Sequence, residues 1–231
     1  MTSPNSSPRK VVVVGAGPVG CLAAISLAKI GWSVEIYEGR PDMRLPSSKA
    51  AAQQRSINLA ISARGIAAIQ AINPAAAGRF LNTCINSIGR AYLNEDLLME
   101  ALAVPNIRLF FLHKVLSIDF DAKSMSVHDE EAGKDIQISF DLCVGTDGCY
   151  SVVRRQLMKV VRMDYQQTYV PHEYLELKMP AGPPTEPGGE PTFLLDPNHL
   201  HIWPRHTFML IALPNKVRDS FSPFSPPLLL F

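Results

Sequence analysis

Residues 10–38 read KVVVVGAGPVGCLAAISLAKIGWSVEIYE, from Lys10 to Glu38. Four valines after Lys10 make an unbroken β-branched run, the pattern of a strand covered on both faces in a parallel sheet. The run passes directly into Gly15-Ala16-Gly17-Pro18-Val19-Gly20. Cys21 to Ile30 is apolar almost all round and predicts a helix, stopped by Gly31. Residues 32–37, WSVEIY, alternate as a second strand that ends at Glu38. Strand, spaced glycines, helix, strand and acid, in this order within about 30 residues, are the fingerprint of a dinucleotide-binding βαβ unit. Gly15 permits the tight turn, Gly17 lets the backbone approach a pyrophosphate, and Gly20 lets the helix pack close to the sheet. The helix N-terminus offers N–H groups and a partial positive charge to the phosphates. Glu38 can accept hydrogen bonds from both ribose hydroxyls. The fingerprint specifies an ADP moiety and leaves NAD and FAD both open.

The surrounding composition is that of an ordinary globular protein. Of 231 residues, 47% are apolar and 19% charged, which excludes a disordered, collagen-like or disulfide-scaffold chain. A formal charge of +1 argues against a nucleic-acid-binding domain, so no nucleic-acid partner is expected. Cys21, Cys84, Cys143 and Cys149 form no CxxC pair and read as reduced thiols of an intracellular protein, not as a zinc site. His199 and His201 share one strand face without a third ligand nearby, so no metal is expected. No apolar run reaches the roughly 18 residues of a membrane span. Residues 1–9 are polar and Ser/Pro-rich, expected to be disordered and not a secretory signal. Residues 44–94 hold six basic residues (Arg44, Lys49, Arg55, Arg64, Arg79, Arg90) and no acidic one. Such a stretch is either a solvated face or a surface that meets an anionic ligand.

A second motif follows a β-meander. Val115–Phe120, Met125–His128 and Ile136–Phe140 alternate, and Leu142-Cys143-Val144 is a short strand ending in GTDGCYSVVR, Gly145 to Arg154. An Asp-Gly pair at a strand end is commonly a hairpin turn. Here SVVRRQLM follows and reads as a helix, which would make another helix N-terminus facing a cofactor.

With these residues the sequence resembles the aromatic-ring flavoprotein monooxygenases, whose DGxxSxxR motif is matched by Asp147, Gly148, Ser151 and Arg154. The runs RSINLAIS (55–62), DYQQTYVPHEYLEL (164–177) and HLHIWPRHTFMLIALPN (199–215) narrow the resemblance to the kynurenine 3-monooxygenase branch of that family, most like its fungal members. The resemblance runs from about residue 10 to 215 and implies FAD as cofactor and NADPH as co-substrate. The implied reaction is ring hydroxylation of L-kynurenine with O2, a step of tryptophan degradation and pyridine-nucleotide biosynthesis. Flavin supplies the chemistry and protein supplies orientation and dryness. No catalytic side chain is implied. Carried over by position, the glycines and Val19 lie at the pyrophosphate. Glu38 holds the adenosine ribose with Tyr37 and Arg40 beside it. Ala60 contacts the flavin side, Arg90 contacts FAD, Val115 gives a backbone contact near the adenine, and Asp147 and Gly148 lie near the pyrophosphate. Val152 stands where the family has a contacting Thr. For the complete family protein the resemblance implies the cytosolic face of the mitochondrial outer membrane. For this chain, without the family's anchor, the cytoplasm is expected.

The expected fold is α/β. A GxGxxG Rossmann-like FAD-binding domain (10–160) joins part of a second, antiparallel-sheet substrate domain (161–215). The second sheet is expected from Tyr174–Met179, Phe193–Leu195, His199–Trp203 and Phe208–Leu213. Two departures from the family stand out. The chain jumps from Thr83 to Cys84 where the family carries an arginine for the substrate carboxylate and a pocket tyrosine. Residues 216–231 leave the family pattern, so the 208–213 strand is expected to have an unpaired edge. The implied activity is therefore expected to be absent from this chain. The alternatives are a non-catalytic FAD- or ADP-binding fragment and an NAD-dependent dehydrogenase using the same fingerprint.

Overall fold

The computed structural model describes residues 8–49, 58–81, 87–169, 175–179, 181–189, 191–212, 214 and 227–230. The chain forms two compact units, residues 1–54 with 93–165, and residues 55–92 with 166–231. Compared with the expected division at 160/161, the second unit also takes in 55–92.

The first unit is built on β1 (Lys10–Val14), α1 (Pro18–Lys29) and β2 (Ser33–Tyr37). The strands pair in parallel, Val11 opposite Val34 and Val13 opposite Ile36. The helix begins three residues before its apolar run because Pro18 has the right φ for a first helical turn and no N–H to satisfy. Two further parallel strands complete the sheet in the order β5-β2-β1-β9, with β5 at Ile107–Phe110 and β9 at Leu142–Gly145. Side chains of β1 and β2 alternate between two buried faces. Val11, Val13, Val34 and Ile36 share the core with Cys21, Ala24 and Ile25 of α1.

Val12, Val14 and Tyr37 lie on the opposite face, packed with Val115, Ile118, Met125, Val127, Phe140 and Val153. Those partners come from β6 (His113–Asp119) and β7 (Ser124–Asp129) of an antiparallel meander, from Phe140 just after its third strand β8 (Lys134–Ser139), and from α5 (Val152–Val160). Glu35 is the polar exception on this face. It is 3% exposed, and its carboxylate is met by Lys10 Nζ at 2.6 Å, the Tyr37 hydroxyl at 2.9 Å and the Arg108 guanidinium. Two cations and a hydroxyl offset its loss of water.

The second unit contains β3 (Asn58–Ala60), α2 (Ala63–Ile72), α3 (Pro74–Leu81) and β4 (Ser87–Gly89). The helix α4 (Arg90–Leu102) starts there and continues into the first unit. Ser62 Oγ caps α2 through Gly65 N, and Asn73 Oδ1 caps α3 through Ala75 N and Ala76 N. The unit's larger sheet is antiparallel, β10 (Leu175–Lys178), β13 (Pro227–Leu230), β12 (Met209–Ala212) and β11 (His201–Pro204) in that spatial order.

Two expectations are corrected in this sheet. Residues 193–195 are not a strand. Thr192 makes only an isolated bridge to Gly182, and the prolines around it remove the donors a longer ladder needs. The place is taken by β13, from the segment 216–231. It lies between β10 and β12, with Leu229 opposite Glu176 on one side and Ile211 on the other. The strand at 209–212 is therefore paired on both sides and has no free edge. The junction at Thr83-Cys84, Arg55, and most of residues 1–9 and 216–231 lie outside the described residues.

Candidate dinucleotide-binding site

The turn after β1 is closed by its neighbours. Gly15 N donates to the Tyr37 carbonyl at 2.8 Å, and Gly15 takes φ +101°, which a side chain would strain. A Cβ on Gly20 would lie 2.0 Å from the Gly15 carbonyl oxygen, so this glycine is required by packing. Gly17 differs from both. It is extended, at φ −75° and ψ 176°, and a Cβ there would meet none of the described residues within 4 Å. It caps α1 with no side-chain hydrogen bond, and the first turn has no acidic residue. Val19, in that turn, is 67% exposed. A helix start without a side-chain cap, fronted by open space, is suited to an anion. The Cys21 thiol just inside the helix is pushed up to about 12 by burial, so it adds no negative charge there.

Glu38 stands at the end of β2. Its Oε2 accepts from Ala16 N at 3.0 Å, which ties the acid to the glycine turn. Its Oε1 accepts from Arg40 N and Arg40 Nε, both at 2.9 Å, and Arg40 Nη2 donates to Oε2 at 3.1 Å. Burial pulls this carboxyl upward, but the Arg40 side chain and the Arg40 and Ala16 amides outweigh it and hold it below the usual carboxylate range. The contribution of this network to stability is complete above the ordinary carboxylate range and is lost as pH falls through the depressed folded value. Glu38→Gln is expected to flatten the acid limb of the stability curve, measured as urea midpoint against pH; an unaltered acid limb would contradict the assignment.

The two sequence motifs meet at Thr146. Its N–H donates to the Val14 carbonyl at 2.9 Å, and its hydroxyl lies 2.8 Å from that carbonyl and 3.0 Å from the Gly15 carbonyl. A Cβ on Gly15 would strike the Thr146 carbonyl at 2.8 Å, so the two loops are in contact. Gly148 has φ +78° and open space before it. At the start of α5 the helix amides are met by Asp147. Its Oδ2 accepts from Val152 N at 2.6 Å and Val153 N at 3.2 Å, and its Oδ1 from the Ser151 hydroxyl at 2.5 Å. Ser151 Oγ in turn accepts from Arg154 N at 2.9 Å. The start of α5 is thus capped by its own side chains, whereas the start of α1 is not. Arg154 braces the loop by donating to the Gly148 and Cys149 carbonyls, and lies 4.5 Å over the Tyr165 ring.

The Tyr37 side chain is in the core, stacked on Phe110 at 5.0 Å and bonded to Glu35, while its carbonyl accepts from Gly15 N at the turn. Val115 is buried in the meander, at a bulge between Val115 and Ser117. The structure brings Gly15, Gly17, Val19, Gly20, Glu38, Arg40, Asp147 and Gly148 to one end of the parallel sheet. Ala60 and Arg90 belong to the second unit, both exposed, on β3 and at the start of α4, which follows the strand paired with β3. Sequence reasoning missed Thr146 and Arg44. Arg44 was legible only as one of six cations. In the structure Asp42 holds it in a two-pronged pair, and it lies 5.7 Å over the Phe111 ring.

No protein-family profile matches the chain. It is 39% identical to a kynurenine 3-monooxygenase of Cryptococcus neoformans, over 96% of this chain and 52% of that protein. It is 40% identical to one of Candida albicans (97% and 54%) and 42% identical to one of Anopheles gambiae (94% and 49%). The chain spans about half the length of the curated relatives it matches. The Cryptococcus alignment runs over 269 residues, more than this chain contains, so the relative carries residues without a counterpart here. The Candida match leaves fewer residues outside it than 216–231 contains, so it enters that segment. Among solved structures, PqsL of P. aeruginosa in complex with 2-aminobenzoylacetate superposes with a TM-score of 0.64 at 15% identity, over 97% of this chain and 60% of that one. The Y270F mutant of MHPCO superposes at 0.58 with 17% identity, over 97% and 59%. These likenesses establish the fold.

Proposed function

We propose that this chain, a homologue of the kynurenine 3-monooxygenases over nearly all of its own length, is an FAD-binding module of that enzyme type and does not hydroxylate kynurenine as these 231 residues. The observation that carries the reading is the α1 start, uncapped and open before Gly17, with Glu38 fixed 3.0 Å from Ala16 N. These residues fit an ADP moiety. The pyrophosphate takes the helix start, and the adenosine ribose takes the Glu38 carboxylate. Arg40 already occupies both of its oxygens, but the Arg40 side chain is 72% exposed and can yield at little cost. Thr146 ties the two loops together, and the Asp147 carboxylate is bonded to the start of its own helix. In the complete enzyme type, flavin would supply the oxygen-transfer chemistry, with NADPH and O2 as co-substrates. The dehydrogenase alternative shares the fingerprint, and flavin absorbance of the purified protein separates the two.

The absence of hydroxylation follows from substrate chemistry. An amino-acid carboxylate in a dry pocket needs a fixed cation, and a two-pronged arginine serves it best. The family arginine for that role has no match in the sequence between Arg79 and Arg90. Losing such a pair costs roughly 2–5 kcal/mol of binding. Purified protein with FAD, NADPH and kynurenine is expected to give 3-hydroxykynurenine no higher than a heat-killed control by chromatography. Product above that level would overturn this part of the reading. Glu38→Ala is expected to weaken FAD and ADP-ribose about ten-fold or more, since a charged hydrogen bond contributes roughly 1.5–3 kcal/mol. Unchanged affinity in calorimetry would refute the ribose assignment.

A further inference from the structure

One peptide unit of the glycine turn is held from both ends. The Thr146 hydroxyl donates to the Gly15 carbonyl at 3.0 Å, and the N–H of the same peptide, that of Ala16, donates to Glu38 Oε2 at 3.0 Å. The hydroxyl has one proton and lies within reach of two carbonyls. Val14 O also accepts from Thr146 N, whereas Gly15 O has no other donor among the described residues. A peptide unit is planar, so its C=O and N–H turn together. Turning the Gly15 carbonyl away from Thr146 would turn the Ala16 N–H away from Glu38. Each bond also polarises the other through the amide. Packing closes round this unit, since a Cβ on Gly20 would lie 2.0 Å from the Gly15 oxygen and 2.8 Å from Thr146 Oγ1. Ala16 is 2% exposed, so little water is at hand to replace a lost partner.

We infer that Thr146 is a positioning residue for the ribose site: through the Gly15–Ala16 peptide its hydroxyl fixes the Glu38 carboxylate that accepts from the adenosine ribose. This rests on reading the turn as an ADP-binding site. Thr146 acts without touching the ligand, so its effect is confined to the part of the ligand that Glu38 holds. A hydroxyl that only braced the turn would act on every ligand of the turn alike.

The test is calorimetric titration of ADP and of its dideoxy form, which lacks both ribose hydroxyls, into the intact chain and its Thr146→Ala, Thr146→Val and Thr146→Ser variants, with a melting curve for each ligand-free protein. The intact chain should bind ADP more tightly than dideoxy-ADP. Thr146→Ala and Thr146→Val, which lack the hydroxyl, are expected to weaken ADP about three- to ten-fold and to leave dideoxy-ADP unchanged. Thr146→Ser, which keeps the hydroxyl, should bind ADP as the intact chain does. Equal losses for the two ligands, no loss for either, or a serine variant as weak as the alanine one would overturn the inference while leaving the ADP-site reading standing. Loss of the folded melt in both hydroxyl-free variants would overturn it as well, because the role would then be structural. An intact chain that binds neither ligand, or binds both alike, would overturn the ribose assignment and the inference with it.

Discussion

Gly17→Val is expected to abolish dinucleotide binding while leaving the fold intact. Three glycines share the turn, and the structure gives them different reasons. Gly15 is held at φ +101° against the Thr146 carbonyl, and Gly20 lies where a Cβ would sit 2.0 Å from the Gly15 carbonyl. Substituting either disturbs the protein itself. Gly17 has backbone angles open to any residue and no described residue within 4 Å of a built Cβ. Valine there costs the fold little and fills the space a pyrophosphate needs, so the effect falls on the ligand. Circular dichroism and melting should match the unmodified chain, while FAD and ADP titrations become flat. Normal FAD binding by Gly17→Val would show that the glycine motif is structural only, and a collapsed melt would show that the open space is not free.

Removing residues 216–231 is expected to cost the second unit its larger sheet. The deletion takes away β13, the only described strand that pairs with β10 and one of two that flank β12. What remains is a hairpin of β11 and β12 and a lone strand, and a two-stranded hairpin is at best marginal in water. The newly unpaired edge of β12, MLIA, is apolar and invites association. The shortened protein should elute as aggregate in size-exclusion chromatography and lose part of its melting amplitude. The intact chain, with β12 covered on both sides, should not. A monodisperse shortened chain with an unchanged melt would show that β13 is dispensable.

The βαβ unit, the three meander strands and the helix after Asp147 follow the sequence reading closely, because each is set by local signals. Valine runs, spaced glycines and alternation act over a few residues, and the tertiary structure had no reason to override them. Phe193–Leu195 had the composition of a strand but no partner, and pairing is a non-local property. The segment 227–230 offered little pattern and became an interior strand because a gap between β10 and β12 was available to it. The site divides in the same way. Glu38 and Gly17 were readable from spacing alone.

The sequence by itself determined the parallel βαβ core, the class of ligand its turn can hold, and the residues at that turn, since those depend on chain geometry within one supersecondary unit. Only the tertiary structure decided which helix start remains open. Asp147 and Ser151 cap α5 with their own oxygens, and nothing in the spelling of GTDGCYS distinguishes a carboxylate turned to its own helix from one turned outward. Tertiary packing also turned Tyr37 into the core against Glu35 and joined the two motifs through the Thr146 hydroxyl. Each of these is fixed by atoms that lie far apart in the chain or by the direction of a single side chain. Burial and hydrogen-bond satisfaction belong to the assembled molecule, so no local pattern of residues encodes them.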